Sequence, residues 1–434
     1  MKKTLAALIA IAIVSTMAAA TDSRIASIGA ASTFIKDYTD IYFLPSNLTL
    51  YPRLINAELG TYPASYPYYG SASITWTNNE EQTWGVMGID FNHAIVGEQQ
   101  FKNDVTMINT AFGPGDVLPH PDNKWHLFWA KKFGTMAAGL HLARAAGAMT
   151  QDLSDSTGNT GTLEANSGLW NINAGISMSP MENVDFDAAF AYQMLSFKSE
   201  DSWTNVAPAT GSTTIESDGG SNIMFGARAF YGMSDELKLV PVIGVNMYNI
   251  GYKTAYAGLD TVGNTPFGGE KSGMEIKGAF GINYKPAENV TLIGGLHLGY
   301  SKTTVKDSMD VLNPYIVPGY GPFSELSGTT FTLPGFSAAV EAELVHWMWV
   351  RFGASKMISK TTYKFNELPS IANEREGETS STDAAYAFNF GLGLKFGKLC
   401  IDAKLNDDMP FDLGYLMSGN DHEVFGQVSA SYSF

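Results

Sequence analysis

An antiparallel, membrane-spanning β-barrel is the fold class this sequence predicts, with sixteen strands and fourteen as the alternative count. Three observations predict it: apolar residues recur at every second position, tight and long connections alternate along the chain, and the chain ends in an alternating strand that stops on an aromatic. Met274, Ile276, Gly278, Phe280, Ile282 and Tyr284 are apolar or small, while Glu275, Lys277, Ala279, Gly281, Asn283 and Lys285 interleave with them. Val290 to Tyr300 and Tyr386 to Phe396 repeat the pattern. Period two gives a segment one greasy face and one wet face. A soluble sandwich also alternates, but its strands usually run about five or six residues. These segments run nearer ten to twelve, the length a tilted strand needs to cross a bilayer.

Composition narrows the class. The 434 residues are 45% hydrophobic, 12% aromatic and 16% charged, which is incompatible with disorder. Beyond the first 20 positions no window of about 20 residues lacks polar side chains, so a helical bundle in the membrane is excluded. A net charge of -16 is a poor match for phosphate backbones, so nucleic acid is not an expected partner. The single cysteine, Cys400, excludes an internal disulfide framework and any Cys-rich zinc site. No cofactor or metal is expected.

Residues 1–20 read as a signal peptide. Lys2 and Lys3 precede an apolar stretch from Leu5 to Val14, and Ala18-Ala19-Ala20 offers a cleavage site. An uncleaved anchor helix is the other reading, but the apolar run is short for a span. Residues 21–50 form a lead-in or plug, and 51–434 the barrel. Strand starts are expected near 54, 70, 83, 123, 135, 168, 184, 221, 237, 273, 289, 330, 347, 384, 398 and 422. The first two are the weakest, and fourteen strands remain if they belong to an internal segment. Tight turns fall at 78–82, 132–134, 179–183, 232–235, 285–289, 345–347 and 396–398. Long polar loops are read at 93–123, 147–167, 198–220, 252–272, 302–328, 359–383 and 407–421. Short turns on one side and long loops on the other describe a bacterial outer-membrane barrel. Acids in these loops, Asp152, Asp155, Glu200, Asp201, Asp307, Asp310, Glu374, Glu376 and Glu378, bind divalent cations weakly or are simply solvated.

At the end of the chain Val428, Ala430, Tyr432 and Phe434 alternate with Gln427, Ser429, Ser431 and Ser433. Such a strand, closed by Phe434, resembles the terminal signature read by the barrel-assembly machinery, which makes that machinery and outer-membrane lipid expected partners. The terminal strand is expected to pair with the first and so remove the sheet edge.

The wet face carries Glu58, Asp90, Asp185, Asp187, Glu275, Glu341, Glu343, Asp402 and Glu423 against Arg228, Lys238, Lys277, Arg351, Lys395 and Lys404. That mixture promises no strong ion selectivity. Arg228, Arg351, Glu341, Glu343, Glu275 and Lys277 are the candidates for a lumen constriction; the competing reading is an interior network that satisfies its own charges. Gly226, Gly281, Gly391 and Gly393 either make room or let strands bend. Arg introduced at outward Leu296 or Phe390 is expected to cost much more than at inward His297 or Asn389. No catalytic motif occurs, and the chain is not expected to be an enzyme; His141 or His297 near a serine is the only catalytic arrangement to consider.

Residues 24–31, Arg-Ile-Ala-Ser-Ile-Gly-Ala-Ala, and 36–48, Lys-Asp-Tyr-Thr-Asp-Ile-Tyr-Phe-Leu-Pro-Ser-Asn-Leu, are similar to the opening of FadL-like outer-membrane transporters and their PorV-type relatives. There an Arg, a Gly-Ala pair, an Asp-rich turn and an Asn-Pro-Ala stretch form a plug; here Leu44-Pro45-Ser46 replaces the last of these. The resemblance covers about 30 residues, and sixteen strands exceed the fourteen usual in that family. It implies a hatch carrying Arg24, Gly29, Asp40 and Pro45, and hydrophobic small molecules as substrates. The sequence thus supports a channel or transporter for small solutes in the bacterial outer membrane, or else a structural or display barrel that meets partners through its long loops.

Overall fold

In a computed structural model the chain is described over residues 21–60, 69–112, 117–154, 160–204, 211–257, 268–307, 323–367, 376–405 and 425–434. The signal-peptide reading of 1–20 lies outside these residues, as do Asp155, Asp310, Glu374 and Glu423. Sixteen antiparallel strands form one closed barrel, each paired with its sequence neighbours and the last with the first. They are β1 Leu54–Gly60, β2 Tyr69–Thr77, β3 Val86–Phe91, β4 Asn123–Phe133, β5 Met136–Ser154, β6 Thr160–Met181, β7 Val184–Thr204 and β8 Gly211–Gly232. The second half comprises β9 Leu237–Ala257, β10 Gly268–Ala287, β11 Val290–Asp307, β12 Phe323–Val345, β13 Met348–Glu367, β14 Glu376–Phe396, β15 Leu399–Leu405 and β16 Phe425–Ser433. Closure runs from Leu54 opposite Ser433 to Gly60 opposite Gln427, so the weak first strand is the one that seals the cylinder.

The outward set is that of a lipid-facing wall. Leu140, Ile172, Phe190, Phe225, Ile243, Phe280, Leu296, Phe336 and Phe388 are all exposed, while their sequence neighbours turn inward. Phe133, Tyr231, Tyr284, Trp347, Phe396 and Tyr432 are exposed near the tight turns, where amphipathic rings sit at a membrane interface. This is an outer-membrane barrel.

Two expectations are corrected. The long strands are 18 to 23 residues in β11 and β12, not ten to twelve, so much of what reads as loop at 147–167, 198–220 and 359–383 is strand. The ladder continues beyond the lipid, where both faces are wet and the period-two signal fades although the backbone pairing persists. The loop read at 93–123 contains a helix, Glu98–Phe112.

Strand β12 contains a bulge. Leu333 pairs with Ile358 and Phe336 with Lys356, so three steps on β12 match two on β13. Pro334, which lacks an N–H, occupies the irregularity, and the outward set changes from even residues (Phe336, Ala338) to odd ones (Leu333, Phe331).

Candidate functional site: the plugged lumen

The lumen is occupied from its tight-turn end by residues 21–51. Helix α1, Asp22–Ile28, starts at Thr21, whose hydroxyl accepts from the Arg24 N–H, and ends at Gly29 with φ of +65°. Three short 3-10 turns follow, Gly29–Phe34, Tyr38–Tyr42 and Pro45–Leu50, and Asp37 and Asp40 form a capping box on the second. Apolar side chains of this segment face the wall. Ile28, Ala31, Phe34 and Ile35 pack with Phe230, Val240, Ile293 and Ala339, and Tyr38, Ile41, Tyr42 and Leu48 with Val86, Phe128 and Ala130.

Inward glycines show that wall and insert are fitted to each other. A Cβ at Gly281 or Gly295 would overlap the Phe34 ring, one at Gly226 the Phe43 ring, and one at Gly391 the Ser27 side chain. These residues make room. Gly393 gives room instead to the Arg351 and Asp402 side chains.

Charges fasten the insert. Arg24 donates through Nε and Nη2 to Glu341, the latter at 2.8 Å, and through Nη1 to Asp37 at 3.0 Å. Arg351 pairs with Asp402 at 2.6 Å and approaches Glu341 at 3.4 Å, while Thr21 donates to Asp402 at 2.9 Å. On the opposite wall Arg228 pairs with Asp40, donates to Asp187 at 3.1 Å and donates to the Ile35 carbonyl at 2.9 Å. Ion pairs of this burial hold only when further hydrogen bonds satisfy them; the insert supplies such partners to Glu341, Asp402 and Arg228, whereas Arg351 meets only the wall residues Asp402 and Glu341.

Of the sequence-derived candidates, Arg228 meets plug residue Asp40 and Glu341 meets Arg24, while Arg351 joins the Arg24 network only through Glu341 and Asp402. Glu275 and Lys277 lie elsewhere, paired with each other at 2.9 Å on β10, with the Lys277 side chain 68% exposed. Glu343 is half-buried with no ion pair within 4 Å among the described residues. Gly29 faces Asn389, where a Cβ would overlap the side-chain amide, and Pro45 lies against Gly139 and Gly175. The expectation that His297 and Asn389 accept Arg cheaply is corrected on the same ground: the His297 ring lies 5.2 Å from Phe34 and Asn389 is buried. Both point inward, Asn389 into packed protein and the half-buried His297 beside the plug ring Phe34.

Sequence reasoning missed two groups. The first joins His93, whose Nε2 is 2.8 Å from Asp22, to Tyr42 stacked on it at 3.5 Å and to His126, which accepts or donates at 2.9 Å to His141. Burial alone would lower the His93 pKa, but the Asp22 carboxylate outweighs it and lifts the value to about 9. His141 thus has a histidine as its ring neighbour, whereas His297 does meet a serine, Ser337, at 2.8 Å. No carboxylate lies within 4 Å of His297 among the described residues. The second group is helix α2, Glu98–Phe112. Its buried Phe101, Val105 and Ile108 pack with Ala143, Leu169, Leu195, Phe197, Ile250 and Tyr252 of the wall. Spacings of four and three were the available signal. Asp104, fully buried, receives Lys271 at 2.5 Å and the Tyr248 hydroxyl, which ties the helix to β9 and β10.

Above the plug the interior is consequently divided. The half along β5–β9 is filled by α2. Along β10–β14 the inward-facing Lys277, Asp383, Ala385 and Ala387 are exposed and Glu275, His297 and Met357 half-buried, while Ile28 and Phe34 of the plug beneath are fully buried.

The chain matches no protein-family model and no curated protein. Among solved structures it is similar to a Pseudomonas aeruginosa FadL homologue, at 11% identity over 95% of this chain and 98% of that one, with a TM-score of 0.37. It is also similar to the CymD monoaromatic hydrocarbon channel, at 10% identity over 94% of both chains and a TM-score of 0.34, and to the copper transporter OprC, at 11% over 82% and 61% with 0.37. Such likenesses fix neither substrate nor strand number, and the sixteen strands rest on the register pairs themselves. The chain is a sixteen-stranded outer-membrane β-barrel with residues 21–51 seated in its lumen, and it is similar along its length to FadL-type barrels.

Proposed function

We propose that the protein passes small, largely apolar solutes across the outer membrane, along the open half of the lumen and past the plug. The observation that carries this reading is the division of the interior: inward residues of β10–β14 stay exposed or half-buried beside the α2 core, and His297, the one nearest the plug, stands 5.2 Å from the buried Phe34 ring. An open porin for polar solutes needs a continuous wet path, and the fastened insert opposes one. The display alternative depends on long loops whose tips lie largely outside the described residues.

Ligand-observed NMR with 2-phenylethanol on the purified barrel tests the proposal. Saturable binding that Phe34→Ala weakens, together with exclusion of sucrose in liposome swelling, supports it. Free permeation of sucrose, or absence of saturable binding, contradicts it.

A further inference from the structure

The outer wall of β10–β14 carries an apolar groove of about 640 Å³, lined by Phe280, Ile282, Leu296, Phe336, Tyr386 and Phe388 over small Gly294, Ala338 and Ala354. Its floor is shallow because three neighbouring strands present glycine or alanine outward at one level, while aromatic rings rise on either side. Lys356 also lines it. Register places this lysine on the lipid face: Leu296 lies opposite Phe336, Phe336 opposite Lys356, and Lys356 opposite Tyr386, and directly opposed residues share a face. Its ammonium lies 5.0 Å from the Tyr386 ring centre.

The height of Lys356 decides its meaning. Eight residues separate it from Met348 at the tight turn, which at about 3.3 Å per residue and a tilt of about 40° is roughly 20 Å. An apolar band is about 25 Å tall, so the ammonium lies below its outer edge and can reach upward along its own stem. Farther out on the same wall Lys360, opposite Phe331, and Lys302, opposite Thr329, are exposed. None of the three has a carboxylate within 4 Å among the described residues, whereas Lys364 above them does pair with Glu378 at 3.3 Å. A chain of net charge -16 thus places on one lipid-facing panel three cations with no carboxylate partner among the described residues, one lining the apolar groove and two beyond it.

We propose that this panel binds an outer-leaflet lipid bearing phosphate groups, its acyl chains in the groove and its phosphates on Lys356, Lys360 and Lys302. The lysines supply charge for the head group at the interface, where anionic lipids are recognised by clustered Lys or Arg. The groove supplies the discrimination against free phosphate, since only a molecule with chains covers Phe336 and Phe388.

Native mass spectrometry of the full barrel in nonionic detergent, titrated with bisphosphorylated lipid A, tests the assignment. Dipalmitoylglycerol and inorganic phosphate are the comparison probes. The wild type is expected to retain lipid A, and K356Q/K360Q/K302Q to retain at least tenfold less. K356R/K360R/K302R should retain it, and K277Q, which removes an inward cation, should not alter it. Folding of every variant is read independently from the heat-dependent gel shift of intact barrels. Equal lipid A retention by the glutamine triple variant overturns the proposal, as does dipalmitoylglycerol binding as tightly as lipid A. Competition by inorganic phosphate at the lipid's own concentration also overturns it, because the site would then be one for a free anion.

Discussion

The two halves of the interior are built from the same alternation and end in opposite states. Along β5–β9 the inward residues Ala143, Leu169, Leu195 and Ile250 are buried against α2. Along β10–β14 the inward residues Lys277, Ala385 and Ala387 are exposed. Pattern along a strand therefore decides which face a residue takes, but what lies opposite that face is decided by chain segments outside the strands. Inward is a direction, and it becomes wet or dry only when residues 21–51 and α2 are in place.

The sharpest way to break this comparison is to remove a charge from each half. Arg228→Met removes the arginine from Asp40 and leaves Asp187 only Lys36, at 3.5 Å, as an ion-pair partner among the described residues, and breaking a buried pair from one side costs about 3–5 kcal/mol. Lys277→Met, at an exposed pair with Glu275, should stay within about 0.5 kcal/mol. Urea unfolding in lipid or detergent measures both, and comparable losses would mean that the two halves are equally packed.

Truncating the plug ring comes next. Phe34→Ala should cost about 3–5 kcal/mol by the cavity rule, because Gly281 and Gly295 cannot fill the space it leaves. On the lipid side Leu296→Arg should cost about 2–4 kcal/mol by the depth rule. A much smaller loss at Leu296 in refolding titrations would place that residue outside the apolar band.

Below these substitutions in size comes a pH dependence. His93 has a folded pKa of about 9, above an ordinary value near 6.5, because of Asp22. A group raised on folding contributes fully below the unfolded value and loses its contribution as pH rises through the folded one. Plug docking should therefore weaken by about 2 kcal/mol between about pH 6.5 and 9, and Asp22→Asn should flatten that part of the profile. Proteolytic sensitivity of residues 21–51 in the folded barrel follows the change; a profile that D22N leaves intact would assign it elsewhere.

Much of the fold is legible in the sequence for a definite reason. Within the lipid, each strand must alternate, and each tight turn must interrupt the alternation, so Lys285-Pro286 or Phe396-Gly397 marks a strand end to within a few residues. Where lipid stops, the constraint stops, and Thr160–Ser167 of β6 read as loop although they pair in register with β7, as do the outer residues of β8, which pair with β9 around a shift between Ser217 and Gly220. Pro334 hides a bulge that no alternation count anticipates, since the outward set changes parity there. The candidate site was legible only as chemistry. Arg228, Glu341 and Arg351 announced charges that needed partners, but Asp40 and Arg24, the partners of the first two, sit about two to three hundred positions away in a segment with no strand pattern. Helix α2 was visible as Phe101, Val105 and Ile108, at a spacing easily overlooked inside a polar stretch.

Planar-bilayer conductance of the full barrel beside a barrel lacking residues 21–50 tests the central claim most directly. The account predicts that the intact protein is nearly closed to small ions and that removal of the segment opens a steady pathway, along which Lys277→Glu then shifts ion preference toward cations. Equal conductance of the two barrels, with both folded by gel shift, would contradict it, because the segment seated in the lumen would then obstruct nothing.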